Sequence, residues 1–111
     1  LNAIAPDYVV IKPTLVGGFS QAMEWSAVAM ETGVGSWVTS MLESNLGLAA
    51  IAQWTSCYGT DLPQGLGTGS LYLNNLESPI EMSNGCLTFI PKQIPLLNTI
   101  DEIQRSGIRI F

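Results

Sequence analysis

Lys12 ends the apolar run Tyr8-Val-Val-Ile and is followed at once by Pro13. An ammonium held at a strand end, flanked by apolar side chains and with no cation near it in sequence, is suited to stabilising an anionic intermediate. The plain alternative is a lysine that snorkels from a strand end to water. A second group, Thr39-Ser40-Met-Leu-Glu43-Ser44-Asn45, sets hydroxyls beside an expected helix N-terminus, whose unpaired N–H groups favour a carboxylate or phosphate. Ser44 competes for that role as an ordinary N-cap. Glu43 either pairs with Lys12 across a shared mouth or sits in water and complements the helix dipole. In a third group, Gly65, Gly67 and Gly69 allow backbone to approach a ligand closely, although glycines at this spacing also mark plain turns. No dinucleotide fingerprint is complete. Trp25, Trp37, Trp54 and the four methionines read as core rather than as a cofactor box.

These groups need elements to hold them. Tyr8 to Lys12 is a short β-branched run halted by Pro13, which suits a strand buried on both faces of a parallel sheet. After a loop containing Gly17 and Gly18, Phe19, Ala22, Met23, Ala27 and Met30 recur at helical spacing, and Gly33 closes that helix. Ser36 to Thr39 reads as a second strand, and Ser44 caps a further helix that runs to about Ser56. That helix carries no charged residue from Asn45 to Ser56, so it expects cover on most sides. Leu62 to Gly69 holds a very short third strand and a loop. The three candidate groups therefore all fall at strand ends, where (β/α) folds carry their reactive side chains.

Downstream the pattern changes. Ile80-Glu-Met82 and Cys86-Leu-Thr-Phe89 flank Ser83-Asn84-Gly85 and predict a hairpin on an Asn-Gly turn. Pro91 and Pro95 mark an extended crossing, Thr99 to Gln104 a short helix with Thr99 and Glu102 at capping-box spacing, and Ile108 to Phe111 a last extended piece.

Of the 111 residues, 12% are charged, roughly half the ~25% of an ordinary soluble domain. Lys12 is the only cation before Lys92, while Asp7, Glu24, Glu31, Glu43, Asp61, Glu77 and Glu81 share that stretch. A net charge of −5 with no basic cluster excludes nucleic acid and anionic membrane surfaces as partners. No apolar run is long enough to span a membrane, and no basic region opens a signal peptide. Cys57 and Cys86 are too few for a zinc site and read as reduced thiols, which points to the cytoplasm. Two or three βα units make only a sector of a sheet, with open edges and an uncovered apolar face. The chain is therefore expected to be the C-terminal portion of a larger α/β protein, or to pair with the missing N-terminal part. A homo-oligomer is compatible with either arrangement. A non-catalytic small α/β interaction module is the alternative of another class.

Three blocks in order, Tyr8-Val-Val-Ile-Lys-Pro-Thr-Leu-Val-Gly17, Val38-Thr-Ser-Met-Leu-Glu-Ser-Asn-Leu-Gly47 and Leu62-Pro-Gln-Gly-Leu-Gly-Thr68, resemble the C-terminal third of the o-succinylbenzoate synthase family. That family lies in the enolase superfamily, in the subgroup containing muconate cycloisomerase. The resemblance covers roughly residues 1–85. It implies strands six to eight of a modified (β/α) barrel over residues 1–75, with residues 76–111 a hairpin and tail associated with an α+β capping domain. It further implies a lyase that dehydrates 2-succinyl-6-hydroxy-2,4-cyclohexadiene-1-carboxylate to o-succinylbenzoate on the route to menaquinone. In such enzymes a strand-two lysine is the base, and Mg2+ is held by three carboxylates from strands three to five, none of which has a counterpart here. By the same resemblance Lys12 is the strand-six lysine that stabilises the anionic intermediate. Thr39 with Ser40 beside it, and the backbone at Gly65, bind the small-molecule substrate, and Glu43 matches a family glutamate of open role. A run of serines is common in the family where this chain has Thr39 and Met41. N-acylamino acid racemization on the same barrel is the second activity implied. Dipeptide epimerization fits less well, because Gly65-Leu-Gly67 stands where that branch shows Asp-x-Asp. The chain alone, lacking base and metal ligands, is expected to be inactive.

Overall fold

A computed structural model describes residues 1–58, 61–68, 71–90 and 105. Strand β1 (Tyr8–Ile11) is followed by a one-turn helix α1 (Pro13–Val16), helix α2 (Phe19–Glu31), strand β2 (Gly35–Val38) and helix α3 (Asn45–Ser56). Hairpin strands β3 (Ile80–Ser83) and β4 (Cys86–Phe89) come last. The extended pieces and helix expected beyond Pro91 lie outside the described residues.

β1 and β2 pair in parallel, Tyr8 with Gly35 through Ile11 with Val38. A second βα step returns the chain to the same sheet, where Thr39 and Gly65 form a single parallel bridge. The expected third strand is this short because the Gln64 side chain takes the next ladder position. Its Oε1 accepts from Val38 N at 2.8 Å and its Nε2 donates to Leu62 O at 2.7 Å.

Helix boundaries follow capping chemistry. Pro13 opens α1 with its φ preset and no N–H to satisfy, and Gly17 ends it in the left-handed region at φ 106°. Thr32 caps the end of α2, and Gly33 follows at φ 71°. Ser44 is the N-cap of α3, accepting from Gly47 N at 3.3 Å. In the β3–β4 turn Asn84 (φ 51°) and Gly85 (φ 76°) are both left-handed, the geometry that matches hairpin twist.

The core lies on the helix side of the sheet. Val38, Leu48, Ile51 and Leu66 are buried together, with Ala52, Trp54, Tyr58 and Leu87 packed against them. Phe19 of α2 stacks on Trp54 at 5.5 Å between ring centroids. The Tyr58 hydroxyl bonds to both Ser36 and Ser26, joining β2 and α2 to the end of α3. The opposite sheet face differs from the expected strand covered on both sides: Val10 is 56% exposed and Trp37 42%. Side chains alternate along a strand, so Ile11 and Val38 enter the core while Val10 and Trp37 face the other way. Among the described residues, no helix is long and apolar enough to cross a membrane. Cys57 and Cys86 are exposed free thiols.

Candidate active site

Lys12, Thr39 and Gly65 fall in one row across the sheet. The register that pairs Ile11 with Val38 carries one step further to Lys12 beside Thr39, where Thr39 N donates to Ile11 O at 2.9 Å. Thr39 in turn faces Gly65, with Gly65 N donating to Val38 O at 2.9 Å and Ser40 N to Gly65 O at 3.0 Å. Residues 53 positions apart in the chain are thereby brought to adjacent strand C-termini. Lys12 is half-buried and extended (φ −114°, ψ 101°), and strand alternation puts it on the face away from the core.

The approach at Gly65 is close enough to require glycine. A Cβ there would lie 2.6 Å from Thr39 Cγ2. Thr39 Oγ1 is buried and has no hydrogen-bond partner, an uncommon state for a hydroxyl. Ser40 points the other way and is buried; its Oγ is 2.7 Å from Thr68 Oγ1 and 3.3 Å from Gly65 O. It fastens the end of β2 to the loop that follows Gly65.

Glu43 Oε1 accepts from Thr14 Oγ1 at 2.8 Å and from Met41 N at 3.2 Å. The Lys12 ammonium rests against Met41 Sδ at 4.0 Å. The N-terminus of α3 is largely satisfied within the chain: Ser44 takes Gly47 N, and Asn75 Oδ1 takes Asn45 N at 2.7 Å. Sequence reasoning missed Thr14, Gln64, Thr68 and Asn75. Pro13 opening a helical turn was a signal for Thr14; the others act on partners 26 to 30 positions away.

Parallel strand ends that carry a cation, a hydroxyl and a close backbone approach define an α/β unit built from βα steps, with its candidate site at the strand C-termini. The chain is 58% identical over 87 residues, 78% of its length, to o-succinylbenzoate synthase from Desulfotalea psychrophila (strain LSv54 / DSM 12343), and spans 24% of that protein. Its backbone is similar to the crystal structure of MenC from Desulfotalea psychrophila LSv54, with a TM-score of 0.75 at 57% identity, covering 78% of this chain and 24% of that one. The resemblance carried by the three motif blocks is thus present in sequence and in backbone, over a piece of the larger protein. No protein-family model matches the chain.

Proposed function

We propose that this chain supplies one wall of the active site of a magnesium-dependent lyase that dehydrates 2-succinyl-6-hydroxy-2,4-cyclohexadiene-1-carboxylate to o-succinylbenzoate, on the route to menaquinone. The observation that carries the reading is the single row of Lys12, Thr39 and Gly65 at adjacent parallel strand ends. In this reading β1, β2 and the Gly65 bridge are strands six, seven and eight of a (β/α) barrel. The apolar sheet face at Val10 and Trp37 is then the side turned to the barrel interior. The missing N-terminal part would close over it, and residues 76–111 would run to the capping domain.

Lys12 acts here as a fixed positive charge over the substrate. Charge that develops as the proton α to the carboxylate leaves is stabilised by an ammonium already in place, at no cost of reorganisation. The Thr39 hydroxyl, which has no hydrogen-bond partner among the described residues, is the group offered to a substrate carboxylate, and the Gly65 backbone lies beside it. Ser40 supports both by tying their strands together. Among the described residues no group of three Cys, Asp or Glu is placed to hold a metal ion. The described residues therefore do not fit a magnesium centre, and in this reading its ligands and the base come from elsewhere in the protein.

The test is Lys12→Ala in the full-length protein. The turnover number should fall about 10²-fold or more while the melting transition is retained, as expected when an electrostatic stabiliser is removed. A variant with near-normal kcat would sink the role. Offering the wild-type protein both the cyclohexadiene carboxylate and N-succinyl amino acids separates the lyase reading from N-acylamino acid racemization.

A further inference from the structure

One carboxylate oxygen links the segments that leave two neighbouring strands. Thr14 lies two residues after Lys12, Met41 two residues after Thr39, and Glu43 Oε1 accepts from both, at 2.8 Å and 3.2 Å. Met41 is also held at its carbonyl, which accepts from Thr68 Oγ1 at 2.9 Å. Thr68 follows Gly65 by three residues and is itself bonded to Ser40 at 2.7 Å. A continuous run of hydrogen bonds, Thr14 to Glu43 to Met41 to Thr68 to Ser40, therefore crosses the exits of all three strands. The Met41 side chain lies against the Lys12 ammonium.

Local chemistry favours the carboxylate in this place. Glu43 directly precedes the N-cap of α3, where the helix dipole stabilises negative charge. Gly47, in the first turn, leaves it room, since a Cβ there would sit 3.1 Å from Glu43 Oε2. A charged acceptor shared by a hydroxyl and a backbone amide makes stronger bonds than a neutral one.

From this geometry we infer that Glu43 is a positioning residue: it braces the Thr14 and Met41 segments against each other and so fixes where Lys12 stands relative to Thr39. The inference rests on the lyase reading for its catalytic consequence, but the brace itself is a property of these residues. Because Lys12 acts only as charge develops, loosening it lowers kcat and leaves KM nearly unchanged. A glutamate that touched the substrate carboxylate would instead weaken substrate binding.

The experiment uses the full-length protein and two readouts, steady-state kinetics and hydrogen exchange at the Met41 amide. Glu43→Ala should speed Met41 exchange and lower kcat at least about tenfold, the scale of a small misplacement of a reacting group. Glu43→Gln, which keeps an acceptor oxygen, should restore both. Thr14→Val should lower kcat in the same sense, and should add nothing when combined with Glu43→Ala. The inference is overturned by unchanged Met41 exchange, by a rise in KM with kcat intact, by a Glu43→Gln protein no better than Glu43→Ala, or by a silent Thr14→Val. Failure of the lyase reading looks different: wild-type protein would not dehydrate the substrate, or Lys12→Ala would keep its kcat, whatever Met41 exchange shows.

Discussion

A methyl group added at position 65 would meet Thr39 Cγ2 at 2.6 Å, and Thr39 cannot retreat freely because its own amide is bonded to Ile11 O. Overpacking of this kind costs about 1–3 kcal/mol, so Gly65→Ala should lower the unfolding free energy obtained from urea denaturation by that amount. Thr39→Ser removes the offending Cγ2 and keeps the hydroxyl; the double variant should recover most of the loss. Failure to recover would mean the strand ends, not the methyl contact, set the cost. At this scale the sequence is informative about residue type and poor about partners. An isolated lysine before a proline, hydroxyls beside an expected helix start and a glycine-rich turn mark Lys12, Thr39 and Gly65 as worth testing. The Thr14 to Glu43 bond spans 29 positions and depends on how the strands lie side by side, which no local pattern encodes.

The elements form where propensity and cap chemistry agree. Ser44 and the Asn84-Gly85 turn were readable because each answers a local need, an orphan N–H or a positive φ, that few residue types can meet. Gly85 at φ 76° has open space where a Cβ would go. Gly85→Ala should therefore cost only the backbone term, about 1–2 kcal/mol, with no packing penalty. Ser44→Ala removes a bond that is long, at 3.3 Å, and exposed. It should sit at the low end of the cap range, about 0.5 kcal/mol, and the two losses should add, since they lie on different elements. Chemical denaturation of the two single variants and the double variant checks both amounts and their sum. Helix α1 escaped the sequence reading because four residues are too few to show a period, and Pro13 reads as a stop for the strand before it reads as a start for the helix.

On the scale of the molecule, the sheet has one face finished and one face open. Ile11 and Val38 are 2% and 0% exposed on the helix side, whereas Val10 and Trp37 remain 56% and 42% exposed on the other. The apolar run from Tyr8 indicated the strand itself, but not its burial on both faces, since Tyr8 and Val10 stay exposed. What covers the second face is not written in that run, because a side chain's preference for an apolar surrounding does not say which chain provides it. A contiguous apolar sheet face in water favours association. The 111-residue chain studied alone should therefore show concentration-dependent sedimentation. Val10→Lys with Trp37→Lys should suppress that association while keeping the helical circular dichroism, since neither side chain enters the Val38, Leu48, Ile51 and Leu66 core. The same pair of substitutions in the full-length protein should do the opposite of helping. If β1 and β2 are barrel strands as proposed, the lysines there would be buried against the interior without partners, a cost of several kcal/mol per charge, and the protein should fail to fold or lose its melting transition. A chain that stays monomeric with Val10 and Trp37 intact, or a full-length protein that tolerates both lysines, would mean that this face meets water in the native molecule and that the barrel-interior assignment is wrong.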